Sequence, residues 1–253
     1  MIKFFRKIRQ NLLMENKTGK YFKYAIGEIL LVVIGILIAL QINNLNESKK
    51  EQNILKASLN SLKLNLKEDI ESLNEQINYN ENVREAVDFT FRIISLPEYE
   101  NVRLSSYSDK VTSVADERTF LPSKTAFKSM ESGSHLQWIN NQELKESIFK
   151  YYALLDRFSD ITSQNNQFVK KHIESFTYKE MEFGTYFESA NPYSNNRSLK
   201  LDNTNILRGR PEFENALIGR NIRAGNEIGL SKDAISKATE LINSIDAYLK
   251  KNN

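Results

Sequence analysis

Residues 25–42 read AIGEILLVVIGILIALQI, and this stretch decides how the rest of the chain is interpreted. Glu28 is its only charged side chain, and residues 29–40 form an uninterrupted run of apolar and glycine positions. Eighteen helical residues span about 27 Å, and the aromatic residues just before the stretch bring the apolar length to that of a bilayer core. The sequence therefore predicts one transmembrane helix over residues 21–43, in contact with the lipid bilayer.

The two flanks of this stretch differ in charge. Residues 1–24 carry seven Lys or Arg and one Glu, a net charge of +6, whereas only three Lys lie within the twenty residues that follow the stretch. Because basic flanks stay in the cytoplasm, we expect a bacterial inner-membrane protein with a cytoplasmic N-terminus and with residues 44–253 in the periplasm. No pair of small residues precedes a plausible cleavage point, which favours an uncleaved signal anchor over a cleaved signal peptide.

Residues 1–20 are expected to form a cytoplasmic basic amphipathic segment. Their apolar side chains recur at helical spacing and basic side chains cover much of the remaining surface, a pattern typical of a helix lying on anionic lipid. The alternative is a charge cluster that directs insertion without a fixed structure. From residue 43 onward the net charge is −2, so no nucleic-acid partner is expected.

Small residues and one carboxylate stand out within the predicted membrane helix. Gly27, Gly35 and Ala39 share one face at intervals of four or eight residues, and small residues allow two membrane helices to approach closely. Glu28 is an ionisable group in an apolar segment, where such groups usually face protein or water. We predict recognition of a membrane-protein partner or of a second copy through these four residues. The alternatives are ordinary composition for the small residues and pairing with Lys23 or a headgroup for Glu28.

The remainder of the chain carries helical patterns. Apolar residues after the membrane stretch are separated by 4, 3, 4, 4, 3 and 4 positions, which is close to a heptad repeat: Leu55, Leu59, Leu62, Leu66, Ile70, Leu73 and Ile77. Either an oligomeric coiled coil or one face of an intramolecular bundle would give this pattern, and we favour the bundle because further helices follow. The predicted fold is all-α: one transmembrane helix followed by a periplasmic long-helix bundle over residues 44–253, with coiled-coil-like packing.

Turn and cap signals mark the later helices. Pro122 suits the first turn of a helix and Gly133 its end, Asn140 or Asn141 suits the cap of the next helix, and Pro211 suits the start of the last one. Residues 97–121 predict a loop with room for a short strand, and residues 183–210 are rich in Asn and Ser and irregular. Three glycines in the last helical stretch could bend or break it: Gly219, Gly225 and Gly229.

Candidate chemistry is sparse. The chain has no Cys, which excludes disulfides, thiolate metal sites and a cysteine nucleophile. His135 follows Ser134 with no carboxylate expected nearby, and His172 lacks the spacing of a metal site. Arg208 and Arg210 precede the Pro211 helix and form a weak candidate anion site. We therefore expect no catalysis, no metal and no cofactor.

The N-terminal sequence resembles a known family. Residues 1–23, MIKFFRKIRQNLLMENKTGKYFK, followed by residues 24–47, YAIGEILLVVIGILIALQINNLNE, are similar to the start of a widespread bacterial family of uncharacterised single-pass membrane proteins. Residues 126–152, AFKSMESGSHLQWINNQELKESIFKYY, carry a weaker similarity. The resemblance implies a single-pass inner-membrane protein with a helical C-terminal region, and it implies no activity.

Two functions fit these expectations. The first is a membrane-anchored scaffold or accessory subunit of a cell-envelope complex. The alternative is a sensor-like periplasmic module that binds a ligand and signals through a partner, since a cytoplasmic part of about 24 residues cannot hold a signalling domain.

Overall fold

The computed structural model describes residues 18–97, 107–180 and 207–252, and all regular structure in these ranges is helical. The predicted amphipathic segment 1–20 therefore falls almost entirely outside the described residues. In chain order the elements are α1 (Thr18–Ile94), α2 (Ser108–Thr112), α3 (Thr125–Ser132), a 3-10 turn (His135–Trp138), α4 (Gln142–Val169), a π-helical turn (Lys170–Glu174), α5 (Ser175–Glu180) and α6 (Pro211–Lys251).

Contacts within the chain define two compact units, residues 1–56 and residues 57–253. In the first unit, the apolar side chains of residues 29–42 are exposed: Leu31 is 61% exposed and Leu37 is 58% exposed. The second unit contains the rest of α1 and all the later helices, and its apolar side chains are largely buried.

Polar contacts define the directions of the three long helices in the second unit. Lys63 pairs with Asp246, whereas Arg84 donates to Asn221 at 3.0 Å, so α1 and α6 are antiparallel. Tyr151 of α4 donates to Asp69 of α1 at 3.1 Å. Farther along both helices, Gln76 of α1 and Asn165 of α4 both donate to Glu227 of α6. Because the second contact lies later in both α1 and α4 than the first, α4 runs parallel to α1.

Buried residues follow each long helix in alternating steps of three and four. Such steps keep one face of a helix directed at its neighbours. In α1 the series runs Leu59, Leu62, Leu66, Asp69, Leu73, Gln76, Asn80, Val83, Val87, Thr90 and Ile94. In α4 it runs Leu144, Ile148, Tyr151, Leu155, Phe158, Thr162, Asn165 and Val169, and in α6 Phe213, Leu217, Arg220, Ala224, Glu227, Ser231, Ala234, Ala238, Leu241, Ile245 and Tyr248.

The predicted apolar series of α1 is confirmed only in part. Leu55, Leu59, Leu62, Leu66 and Leu73 are buried, whereas Ile70 and Ile77 are half-buried because Asp69 and Gln76 occupy the inward positions. The irregular step in the apolar spacing therefore disappears once the buried polar residues are counted.

Local sequence explains where several helices begin and end. The Asn141 side chain accepts the Leu144 N–H at 3.0 Å and caps α4, as predicted. Gly133 follows the last residue of α3, and Pro211 is the first residue of α6, also as predicted. The three glycines do not interrupt α6, which stays helical from Pro211 to Lys251.

The segment before α3 differs from expectation. The helix begins at Thr125 rather than near Pro122, because α1 binds the backbone here: Asp69 accepts the Ser123 N–H at 2.7 Å and Asn65 accepts the Ala126 N–H at 2.7 Å. Within the described part of the predicted loop, residues 107–121, there is a short helix and no strand.

Candidate functional site

The first candidate site is the apolar part of α1. An 18-residue window of this helix has a mean hydropathy of 2.6, and none of it is buried, so the helix is long and apolar enough to cross a membrane. A side chain added at Gly27 or Gly35 would meet no atom within 4 Å, and Ala39 is exposed. Glu28, on the adjacent face, is half-buried. The four residues thus lie on one helix whose small-residue face is not covered by the described part of the chain.

The second candidate site is a layer of polar side chains inside residues 57–253. At its centre the Glu227 carboxylate of α6 is 2% exposed. Its Oε2 accepts from Gln76 Nε2 at 2.8 Å and from Asn80 Nδ2 at 2.9 Å, and its Oε1 accepts from Asn165 Nδ2 at 2.5 Å. Ser231, one turn later on the same face of α6, is fully buried. We call these five residues the polar layer.

A buried arginine lies two turns before Glu227 on α6. Arg220 is 1% exposed and donates to the Tyr79 hydroxyl at 2.8 Å and to the backbone oxygens of Val114 and Asp116 at 3.3 and 2.9 Å. Burial raises the pKa of the Tyr79 hydroxyl, while the charge of Arg220 opposes the rise. Arg220 thus fastens residues 114–116 to both α1 and α6, and its donors are directed at neutral oxygens.

A second buried carboxylate lies nearer the start of α4. Asp69 is 1% exposed and accepts the Ser123 N–H and the Tyr151 hydroxyl. Burial raises the pKa of Asp69 from 3.8 to about 6, and these two hydrogen bonds limit the rise. Burial also raises the pKa of Tyr151, so this hydroxyl remains a neutral donor. The arrangement joins α1, α4 and the start of α3.

The two arginines of the candidate anion site contact other parts of the chain. Arg208 donates from Nε to the Ile94 backbone oxygen at 3.1 Å, near the end of α1, and Arg210 pairs with Glu180 at 3.0 Å. Arg208 therefore satisfies a carbonyl that the helix end leaves free, which is a structural role.

The two histidines contact different neighbours within the chain. His135 Nδ1 lies 2.9 Å from Ser58 Oγ, and its ring stacks on Trp138, so its partner is Ser58 rather than the adjacent Ser134. His172 is exposed and lies against Phe168. Among the described residues, no group of three or more His, Cys, Asp or Glu could hold a metal ion.

Sequence reasoning missed the polar layer and Asp69. The sequence prediction identified buried positions by the spacing of apolar residues alone. A polar residue at a buried position is not recognised in this way. A detectable signal was present: Asp69, Leu73, Gln76, Asn80 and Val83 continue the steps of three and four from Leu66 without a gap. Which helix supplies the partner of each residue could not be read from spacing.

Together these features define a helical protein with one apolar helix long enough to cross a membrane. Residues 28–204 match the model of a family described as "Family of unknown function (DUF6090)", and the match covers more than half of the chain. The chain therefore belongs to this family. No curated protein and no solved structure matches it. The matched range begins at Glu28 and ends before α6, so Glu227 and Ser231 lie outside it.

Proposed function

We propose that the protein is a membrane-anchored scaffold or accessory subunit of a bacterial cell-envelope complex and that it carries out no catalysis. The observation that carries the proposal is the apolar window of α1, none of which is buried within the chain. An apolar surface of this size is unfavourable in water and favourable in lipid or against another apolar helix. In this proposal, residues 21–43 anchor the protein in a bilayer.

The proposed topology is an N-terminus in the cytoplasm and residues 44–253 in the periplasm. Its support is the net charge of +6 in residues 1–24. The bilayer would be the inner membrane, with the helix as an uncleaved signal anchor. The similarity of the first 47 residues to single-pass bacterial proteins agrees with this assignment.

The proposed periplasmic part is a bundle with coiled-coil-like packing. The steps of three and four along α1, α4 and α6 support it, because this spacing suits side chains that interlock between helices. The buried face of α1 beyond residue 57 contacts α4 and α6 of the same chain, which favours an intramolecular bundle over an oligomeric coiled coil. Such a body presents its outer surface to partners.

Partner recognition is proposed to lie in the membrane helix itself, where Gly27, Gly35 and Ala39 would let a neighbouring helix approach closely. Glu28 would accept a hydrogen bond from a basic or polar group on that helix. Hydrogen bonds between membrane helices contribute on average about 0.6 kcal/mol, so single substitutions should have partial effects.

In-cell photo-crosslinking from residues within 25–42 tests this proposal. Crosslinked partner should decrease from wild type to Glu28→Gln, then to Gly35→Leu, and most in the double variant, while the protein stays in the membrane fraction. Val33→Leu, on the opposite face of the helix, is the matched control and should keep the crosslinks. If the double variant keeps every crosslink, or an unrelated membrane helix replaces residues 25–42 without loss, these residues are only a tether.

The alternative function is a sensor-like periplasmic module, and the observation that favours it is the group of buried polar side chains in the polar layer. A bundle interior with unpaired polar atoms can hold a ligand. A small molecule that copurifies with the detergent-extracted protein would favour the sensor, whereas a stoichiometric protein partner in the same extract would favour the scaffold.

A further inference from the structure

Residues 114–124 form a segment that we call the strap, most of which has no regular secondary structure. The strap follows α1 in a defined direction. Its Asp116 backbone oxygen accepts from the Tyr79 hydroxyl at 2.6 Å, whereas its Ser123 N–H donates to Asp69 at 2.7 Å. Because Tyr79 lies later in α1 than Asp69, the strap runs antiparallel to α1.

The strap follows α4 in the same manner. Its Thr119 hydroxyl accepts from Asn166 Nδ2 at 2.9 Å, and its Ser123 backbone oxygen accepts from the Tyr152 hydroxyl at 3.3 Å. Because Asn166 lies later in α4 than Tyr152, the strap is also antiparallel to α4. It therefore lies along the groove between these two parallel helices.

Several of the contacts reach the main chain of the strap rather than its side chains. Arg220 of α6 donates to the backbone oxygens of Val114 and Asp116, and Thr162 Oγ1 of α4 accepts the Phe120 N–H at 3.2 Å. Main-chain hydrogen bonds of this kind supply affinity in peptide recognition, while pockets for side chains supply specificity. The groove thus binds the strap as a protein binds a peptide.

One side chain of the strap fills a pocket. Phe120 is 1% exposed, and its ring centroid lies 5.0 Å from that of Phe158 on α4. It is the only buried residue within residues 115–125, and Leu121 beside it is 74% exposed. Pro122 favours an extended backbone at Leu121. The groove therefore holds a non-helical segment by one aromatic anchor.

The same features allow the strap to open locally. A segment with few buried apolar contacts opens at a lower free energy than a packed helix does. When the strap lifts, water replaces its hydrogen bonds, so the main loss is that of the Phe120 contacts. The ion pair of Arg118 with Glu75 of α1 is exposed and therefore contributes little.

We propose that the groove between α1 and α4 is a peptide-docking site, that the strap occupies it in the free protein, and that a segment of a partner protein with one aromatic residue displaces the strap. The strap shows what the groove accepts: an aromatic side chain in the place of Phe120 and, three residues later, a main-chain N–H for Asp69. Proline cannot occupy that later position because it has no N–H. The site lies in residues 57–253 and is independent of recognition by the membrane helix.

The test uses a fluorescent synthetic peptide with the sequence of residues 114–126, VADERTFLPSKTA, and the full-length protein in detergent micelles. Phe120→Ala in the protein removes the anchor of its own strap. The peptide should therefore bind this variant more tightly than it binds the wild type, by roughly tenfold or more. Fluorescence anisotropy measures both affinities. Equal affinities, or no binding to the folded variant, would overturn the proposal.

Two controls show whether the anchor is recognised. Leu121→Ala in the protein changes the adjacent exposed residue and should leave the affinity for the peptide at the wild-type value. A peptide that itself carries Phe120→Ala should bind neither protein. If this peptide binds as tightly as the original one, the groove does not select an aromatic residue and the proposal is wrong.

Since Phe120→Ala could fail to fold, hydrogen exchange of the wild type provides a second test. The Phe120 and Ser123 amides should exchange through local opening, faster than amides in the middle of α1, α4 and α6 by roughly tenfold or more. Low concentrations of urea should accelerate exchange in the helices and leave the strap amides unchanged, because local opening exposes little surface. Strap amides that exchange only together with the helices would contradict a releasable strap.

Discussion

Asp69 shows how a single buried side chain can make stability depend on pH. The carboxyl is held by the Ser123 N–H and the Tyr151 hydroxyl inside an apolar setting, and burial raises its pKa to about 6. Because the folded-state pKa lies above the unfolded value of 3.8, the folded protein binds this proton more tightly. Its contribution to stability is therefore fully present below pH 3.8 and is lost as the pH rises through 6.

The prediction is a pH-dependent difference between the wild type and Asp69→Asn. Relative to the variant, the free energy of unfolding of the wild type should fall by about 2 kcal/mol between pH 4 and pH 7. Urea unfolding in micelles, followed by Trp138 fluorescence, measures it. Tyr151→Phe removes a hydrogen bond that lowers the pKa of Asp69, so it should move the fall to higher pH. A difference that does not change with pH would show that Asp69 does not titrate in this range.

Two glycines of α6, Gly219 and Gly225, differ in the space around them and allow a second prediction at the residue scale. A Cβ at Gly225 would meet no atom within 4 Å, whereas a Cβ at Gly219 would lie 2.7 Å from Phe168 Cζ. The Phe168 ring is in turn covered by Arg223, whose guanidinium carbon lies 3.9 Å from the ring centroid. Gly219 therefore lies in close contact with α4, and Gly225 does not.

Gly225→Ala should raise the free energy of unfolding by about 0.5–1 kcal/mol, because alanine favours a helix interior over glycine. Gly219→Ala gains the same helix preference but must displace the Phe168 ring, so its unfolding free energy should lie below that of Gly225→Ala by about 1 kcal/mol or more. Urea unfolding of both variants measures this. Equal stabilisation would mean that the ring moves away freely.

At the scale of the helices, the sequence predicted which segments are helical and where they end better than it predicted which residues contact one another. Asn141, Gly133 and Pro211 mark helix ends because capping and φ restriction act over a few neighbouring residues. Asp69 and Gln76 were not recognised as buried, because their burial depends on donors from Ser123 and on the Glu227 carboxylate, which are distant in sequence. For the same reason, the contact of the candidate anion ligand Arg208 with the Ile94 carbonyl could not be predicted from the sequence.

The polar layer determines the position of α6 along α1. The buried apolar positions repeat every seven residues, so a shift of α6 by seven would keep most apolar contacts. It would also place Glu227 against apolar side chains, where an unpaired carboxylate is strongly unfavourable. Only the observed alignment pairs Glu227 with Gln76 and Asn80.

The expected outcome can be measured by crosslinking, because the chain has no native cysteine. Cysteines at Lys63 and Asp246, which pair in the structure, should join through a short bismaleimide, whereas cysteines at Lys63 and Thr239 should not. Replacing Gln76, Asn80 and Glu227 by Leu should allow the second crosslink to form, even if the helices stay as stable as before. Failure of the second crosslink to appear would show that other contacts determine the alignment.

At the scale of the whole molecule, the protein has one apolar helix long enough to cross a membrane and one packed helical unit. The exposed apolar helix supports the membrane assignment. The proposed direction of insertion depends on residues 1–24, whose charge is a property of sequence alone. The orientation of the chain in the membrane can therefore be used to test the proposed function without knowledge of any partner.

The measurement is labelling of single cysteines in intact spheroplasts with a membrane-impermeant maleimide. One variant carries Lys17→Cys, before the membrane helix, and the other carries Ser236→Cys, on the exposed face of α6. With the proposed topology, the cysteine at 236 should be labelled in intact spheroplasts, and the cysteine at 17 should be labelled only after lysis. Labelling of the cysteine at 17 alone in intact cells, or of neither before lysis, would contradict a periplasmic scaffold anchored by residues 21–43.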